Sequence, residues 1–270
     1  MGAFDGGRLV AQAALVPANA FLGGEERLVS ELVESRGAGS HPEAWAAAVT
    51  ALLEEHMGLD GDLVVHGFPG PDEWRLAKGG PGFEVVRTQT QLVREVGEGE
   101  REAPEEVELL ERFDHQARWL WDRCAGGFEL CTVRDEAFLN WRFVERPDRE
   151  YTCLGVRDGE GVLRGYAVVG GHDPLGGDAL VIVDWLVPPD EVEVGDALRR
   201  AVLARARTAG RPRVRMLLPE WSPWFEAFQR WGFLVLDAGR FHAARSRVKR
   251  FDMIWLRNGW WATGADTLVF

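Results

Sequence analysis

Tyrosine and lysine are nearly missing from this chain of 270 residues: the two tyrosines are Tyr151 and Tyr166, and the two lysines are Lys78 and Lys249. The lack of tyrosine leaves the first half without a phenolic acid, while arginine supplies the positive charge as a habit of composition. The three cysteines, Cys124, Cys131 and Cys153, fit no zinc spacing, and an odd number excludes a fully paired disulfide framework. They read as small buried hydrophobes. No run of about 18 apolar residues exists to cross a bilayer. Met1 to Asp5 carries neither the basic nor the apolar region that export requires, so the expected location is the cytoplasm with no membrane partner. A net charge of -12 works against partners held by phosphate neutralisation, and no nucleic acid is expected. No Ser-His-Asp, HExxH, Walker or dinucleotide pattern occurs, and no metal site is expected.

What is present is an ordinary globular composition, 46% hydrophobic and 27% charged, long enough for two cores. Strands are expected at Arg8–Val16 and Arg27–Glu34, each after a glycine pair, Gly6-Gly7 and Gly23-Gly24. A helix follows with Ser40 as N-cap and Pro42 in its first turn, placing Trp45, Val49, Leu52 and Leu53 on one side and stopping at Gly58. Leu63–His66 reads as a short buried strand, Glu73–Lys78 as a helix and Thr88–Val93 as a strand. The segment from Glu95 to Arg112 holds eight glutamates and reads as a solvated linker. A helix from Glu105 is expected to carry Leu109, Phe113, Trp119 and Leu120.

The stretch from Phe128 to Val169 is the most informative. It joins a short helix with Phe138, Trp141 and Phe143 to a hairpin, Tyr151–Arg157 and Leu163–Val169, turned at Asp158-Gly159-Glu160-Gly161. Ala179–Leu186 is a β-branched strand and Val194–Thr208 an amphipathic helix. Strand Val214–Leu218, helix Trp221–Trp231, strand Leu234–Asp237 and strand Phe251–Leu256 complete the series. Asp135, Phe138, Leu139, Trp141 and Arg142, then Pro147 and Tyr151, resemble the pattern of tandem GNAT-type N-acyltransferase proteins. The closing Thr263-Gly264-Ala265-Asp266-Thr267 resembles their ending, with Leu268 where a second acidic residue is expected.

The resemblance implies an α/β fold of the α+β type: two tandem GNAT-like domains, each a mixed, mostly antiparallel twisted sheet flanked by helices. The expected boundaries are 1–94 for a first domain incomplete at its N-terminus, 95–104 for the acidic linker and 105–270 for the second domain. Gly82-Phe83 and Gly232-Phe233 are expected at equivalent turns of the two. Such domains hold the pyrophosphate of acyl-CoA on backbone N–H groups at a Gly-rich turn before a helix, where close backbone approach and the helix dipole favour an anion. In the first half Arg36, Gly37, Ala38, Gly39 and Ser40 fall at that turn, although His41 and Pro42 depart from the pattern. In the second half Pro188 and Pro189 lack N–H donors and Asp190, Glu191 and Glu193 would repel a pyrophosphate, so acetyl-CoA or another acyl-CoA is expected in the first half alone.

Acyl transfer to an amine needs a base for the ammonium proton. Glu31 and Glu34 lie on the strand entering the loop and point to opposite faces, and Glu34 is the nearer. His66 ends the next strand and titrates in the useful range, so Glu34 and His66 are the candidate catalytic pair. Trp224, Phe228 and Trp231 form a helix stripe that reads as core. A sharper reading adds Trp185, Trp221, Trp260 and Trp261 to make an aromatic cleft for a sugar. The sequence thus points to a CoA-dependent N-acyltransferase for a small amine, with an amino sugar as one acceptor and a homodimer as one assembly. Two rivals remain open: a non-catalytic scaffold that kept the fold, and a FemABX-like aminoacyl transferase, which the acidic balance disfavours.

Overall fold

The computed structural model describes residues 1–37, 39–58, 60–98, 103–249 and 251–270 and, of residues 34–36, the backbone alone. The chain divides into two compact units, Met1–Gln89 with Asp237–Trp260, and Thr90–Leu236 with Trp261–Phe270. This division differs from the expected boundaries, because a segment near the end of the chain completes the first unit.

The first unit opens with β1 (Gly2–Asp5), β2 (Arg8–Leu22) and β3 (Glu25–Arg36), an antiparallel meander. Its reversals use Gly6, Gly7, Gly23 and Gly24, all at positive φ, which only glycine adopts without cost. Helix α1 (Pro42–His56) crosses over to β4 (Val64–Gly67), which pairs parallel to β3, and α2 (Pro71–Gly79) leads to β5 (Glu84–Glu95). The helices pack one face of this sheet: Trp45, Val49, Leu52 and Leu53 of α1 meet Ala11, Ala13, Val65 and Ala243 in one cluster, with Leu32 against it. β5 begins in the first unit and ends in the second.

The second unit contains β6 (Val107–Leu109), α3 (Gln116–Ala125), β7 (Leu130–Thr132) and α4 (Glu136–Leu139), the last continuing as a π-helical turn, Asn140–Val144. The hairpin of β8 (Tyr151–Arg157) and β9 (Leu163–Gly170) follows, then β10 (Ala179–Leu186), α5 (Val192–Thr208), β11 (Arg213–Met216) and α6 (Pro223–Arg230). Its strands run β5-β11-β10-β9-β8-β6, antiparallel except for β10 and β11. The last strand, β12 (Leu234–Ser246), returns to the first unit and pairs antiparallel with β4, and α7 (Met253–Gly259) follows it. Each unit therefore has a mixed, mostly antiparallel sheet with a parallel strand pair joined by a helix, as a crossover connection requires.

Three local expectations are corrected. The segment after Glu105 is a strand before it is a helix: Val107–Leu109 pairs with Leu154–Val156, and Asp114 Oδ1 takes the N–H of Gln116 at 2.9 Å to start α3. The apolar run at Phe251 is helical because Asp252 caps it, accepting the N–H of Trp255 at 2.9 Å. His41, not Ser40, is the N-cap residue of α1, and it makes no side-chain cap bond. The expected glycine-phenylalanine turns are both present. Gly82 and Gly232 have φ of 74° and 87°, and Phe83 and Phe233 are buried after α2 and α6.

The residues of the quoted pattern turn out to fasten the end of the chain. Asp135 caps α4 through the N–H of Phe138 at 2.8 Å, and buried Arg142 donates to the carbonyls of Gly264, Ala265, Thr267 and Phe270 and to the Tyr151 hydroxyl. Fully buried Arg134 meets Asp184 at 3.1 Å and Asp266 at 2.6 Å, while the Tyr166 hydroxyl and Thr263 Oγ1 donate to Asp184 at 2.8 and 2.7 Å. Burial alone would raise the Asp266 carboxyl, but the Arg134 guanidinium and hydrogen bonds to Arg134, Thr132 and the Thr263 N–H hold it below its ordinary range. Removing one partner of a buried ion pair leaves a charge uncompensated. Arg134→Met should therefore cost about 3–5 kcal/mol, read by urea unfolding followed through tryptophan fluorescence. Because the folded Asp266 pKa is depressed, its contribution is complete above the unfolded carboxylate pKa of about 3.9 and is lost as pH falls through the lower folded value. Unfolding curves of the wild type between pH 5 and pH 2 should register that loss.

Candidate active site

The turn between β3 and α1 is shaped by Gly37. Its φ is +88°, and a Cβ there would stand 2.4 Å from the Val10 carbonyl oxygen and 2.8 Å from Ala11 Cα, so the turn presses on β2 and admits no side chain. The Gly37 carbonyl accepts the N–H of His41 at 2.7 Å, and the His41 carbonyl accepts that of Trp45 at 2.9 Å. Gly39 has no atom within 4 Å of its Cβ position and lies outside the positive-φ set. Ser40 Oγ sits 3.0 Å from His41 Nδ1. With Pro42 at the start of α1 and no side-chain cap at His41, the first-turn N–H groups of Glu43 and Ala44 lack acceptors within the helix, at the positive end of its dipole. Of the expected cofactor residues, Gly37, Gly39 and Ser40 are thus brought to one helix N-terminus. Ala38 and the side chains of Glu34 and Arg36 lie outside the described residues.

His66 stands on the opposite face of the same sheet. Leu32 packs on the helix side, so by alternation Glu31 points away from it, and Glu31 is the register partner of His66 across the parallel β3–β4 pair. The β3–β4 register runs from Val29–Val64 to this pair; β4 ends at Gly67, whereas β3 continues to Arg36. Across β4, Ala244 is opposite His66, and two residues along β12 His242 shares its face. The His66 and His242 rings are 5.5 Å apart, and the Trp260 ring lies 4.7 Å from the first and 4.4 Å from the second. Phe68 stacks on His242 at 4.6 Å with nearly parallel planes. Arg87 completes the group, donating to the carbonyls of Arg257 at 2.6 Å and Trp260 at 3.1 Å at the end of α7. All six of these side chains are buried. Burial first, then the nearby His66 and Arg87, pushes His242 well below the ordinary histidine range, so its ring is neutral at pH 7.

Sequence reasoning names His66 as a candidate and Trp260 only as part of an aromatic cleft, and it does not bring His242 or Arg87 to them. Glu31 was weighed, and the register puts it beside His66. The one available signal was alternation along β3; nothing in the sequence revealed that β12 would lie next to β4.

In the second unit the corresponding loop is closed by its own contacts. Asp190 and Glu191 pair with Arg123 at 2.9 Å each, Glu191 also pairs with Arg164, and Glu191 N–H donates to the Pro188 carbonyl at 3.0 Å. A Cβ on Gly195 would collide with the Trp224 ring at 2.3 Å, and the Trp224 indole donates to the Val187 carbonyl at 2.7 Å. The tryptophan stripe is core: Trp224, Phe228 and Trp231 pack with Trp185 and Phe233 at ring distances of 4.9 to 5.8 Å.

This architecture is the α/β fold of N-acyltransferases. No protein-family model and no curated protein matches the sequence. Among solved structures, Saccharomyces cerevisiae N-myristoyltransferase with bound myristoyl-CoA is similar with a TM-score of 0.61 at 11% identity, covering 91% of this chain and 66% of that one. A GCN5-related N-acetyltransferase from Anabaena variabilis ATCC 29413 gives 0.57 at 14%, covering 90% and 61%. A conserved Enterococcus faecalis V583 protein of unknown function, described as a probable N-acyltransferase, gives 0.58 at 11%, covering 88% and 59%. The chain thus spans about three fifths to two thirds of the length of these proteins.

The two glycines of the turn should respond differently to substitution. Gly37→Ala should lower stability by about 1 kcal/mol for its φ, and further for the overlap with Val10. Gly39→Ala should stay within about 0.5 kcal/mol of wild type. Thermal melts of the two variants, compared side by side, check this.

Proposed function

We propose that the protein is an acyl-CoA-dependent N-acyltransferase whose cofactor site belongs to the first unit. The carrying observation is the Gly37 turn at the end of β3, followed by the N-terminus of α1 without a side-chain cap. A helix N-terminus with a glycine turn suits a pyrophosphate. The residues fit such a ligand: the region around Gly39 is open and first-turn donors are unmet inside α1. Arg36, Gly37, Ala38, Gly39 and Ser40 would hold the phosphates. Bound acyl-CoA supplies the activated acyl group as a thioester.

The chain's own task is to orient an amine and remove its proton. His66 is the proposed proton acceptor, and Glu31, on the same face, is placed to share that role; Glu34, the other carboxylate of the strand, has its side chain outside the described residues. A neutral imidazole accepts a proton from an ammonium directly or through one water, and a nearby carboxylate stabilises the imidazolium that results. Burial of this face excludes bulk water and strengthens such contacts. The acceptor is a small-molecule amine, with an amino sugar as one member of the class. The second unit serves as a partner domain without a cofactor of its own. The bonding of Asp190 and Glu191 within its loop and the filling of Gly195 by Trp224 favour that division. The two units are read as tandem GNAT-like domains acting in the cytoplasm, and a homodimer is the assembly to test by sedimentation.

Titration calorimetry with acetyl-CoA tests the reading. Binding should be measurable in the wild type, and Gly39→Glu, which puts a carboxylate in the open space of the turn, should weaken it at least tenfold, about 1.4 kcal/mol. Thermal stability should change little. Wild-type protein that does not bind acetyl-CoA would remove the enzyme reading in favour of a scaffold.

A further inference from the structure

Among the described residues, neither ring nitrogen of His242 and not the indole N–H of Trp260 has a hydrogen-bond partner, although both side chains are buried. Buried polar atoms are nearly always paired, and leaving one unpaired costs about 1–3 kcal/mol. Three such atoms within one ring cluster, with His242 and Trp260 centred 4.4 Å apart, are a cost that packing alone does not require. An apolar residue at either place would avoid it. The same two rings flank His66, the register partner of Glu31 across β3 and β4.

The chemistry of the pair restricts what it can take. An indole N–H only donates, and a neutral imidazole offers one donor and one acceptor. Arg87 lies close enough to depress His242, which disfavours a cation such as the acceptor ammonium, while Glu31 stands on the His66 side. The guanidinium of Arg87 is engaged by the Arg257 and Trp260 carbonyls, so it is already neutralised in part by carbonyl dipoles at the α7 end. Two donors without a free full charge suit one neutral oxygen with two lone pairs, a carbonyl.

Building on the acyltransferase reading, we propose that His242 and Trp260 are the residues that bind the carbonyl oxygen of the acyl group, each donating one hydrogen bond to it. His66 and Glu31 are left to the amine. The arrangement divides the buried face into an acyl side contributed by β12 and the residue after α7, and an amine side contributed by β3 and β4. It also gives a reason for polar rings in a packed interior: their donors are held unpaired until the ligand arrives, so no internal bond has to be broken on binding.

The test compares acetyl-CoA with S-ethyl-CoA, a thioether of the same carbon skeleton that lacks the carbonyl oxygen, by titration calorimetry on the wild type, Trp260→Phe and His242→Leu. The wild type should bind acetyl-CoA at least about tenfold more tightly than S-ethyl-CoA, since two hydrogen bonds at the usual net value amount to about that factor. Each variant should bring the ratio to within about threefold while the affinity for S-ethyl-CoA is unchanged. Thermal melts confirm that each variant is folded, and His242→Met replaces His242→Leu if the latter is not. Variants that keep the full wild-type ratio would overturn the assignment, as would variants that weaken both ligands equally, which marks a packing role. Wild-type protein that binds both ligands equally would overturn it while leaving the acyltransferase reading intact. Failure of the wild type to bind either ligand would bring down that reading and this one together.

Discussion

A four-residue strand buried on both faces must have its backbone paired on both edges, and β4 is such a strand. Its parallel partner β3 comes from the same stretch of chain, but its antiparallel partner β12 comes from residues more than a hundred positions later. That pairing closes the first unit. It also decides which side chains share a face with His66, because once Ala244 lies opposite His66 the strand period carries His242 to the same side. The buried histidine cluster is thus a consequence of a backbone requirement.

Polar burial is handled in two ways in this chain. In the second unit Arg134 and Arg142 satisfy many acceptors at once: two carboxylates for the first, four carbonyls and a phenol for the second. Planar, permanently charged guanidinium groups suit this role better than lysine, which agrees with the heavy use of arginine. Such a network ties α4 and the π-helical turn to the end of the chain, fixing a segment that has little regular structure of its own. In the first unit the His242 ring and the Trp260 indole are buried without such partners among the described residues.

The two crossover loops show the same contrast at the backbone. Both join a strand to a helix that returns to a parallel neighbour. In one, Gly37 folds the chain tightly on β2 and leaves Gly39 in the open; in the other, Gly195 makes room for Trp224 and the acidic residues are tied to Arg123 and Arg164. A parallel strand pair joined by a helix therefore has an open turn at Gly39 in one unit and a filled, acidic turn in the other.

By itself the sequence determined what depends on neighbours along the chain. Glycine pairs at positive φ, the alternation along β3, the helix stripe of Trp224 and Phe228, and the opposite character of the two loops were all legible, because they follow from local backbone sterics and side-chain period. The α/β character, the element order and the turn at Gly37 to Ser40 could be read on those grounds. Caps and short strands were less legible: Val107–Leu109 became a strand by pairing with β8, and Phe251–Leu256 gave way to a helix capped by Asp252. Only the tertiary structure decided that residues 237–260 belong with the first ninety, and hence that His242, Arg87 and Trp260 surround His66. Strand pairing over such a distance leaves no period in the sequence. It is set by which unpaired edge remains when the rest of the sheet has formed, a property of the folded backbone as a whole.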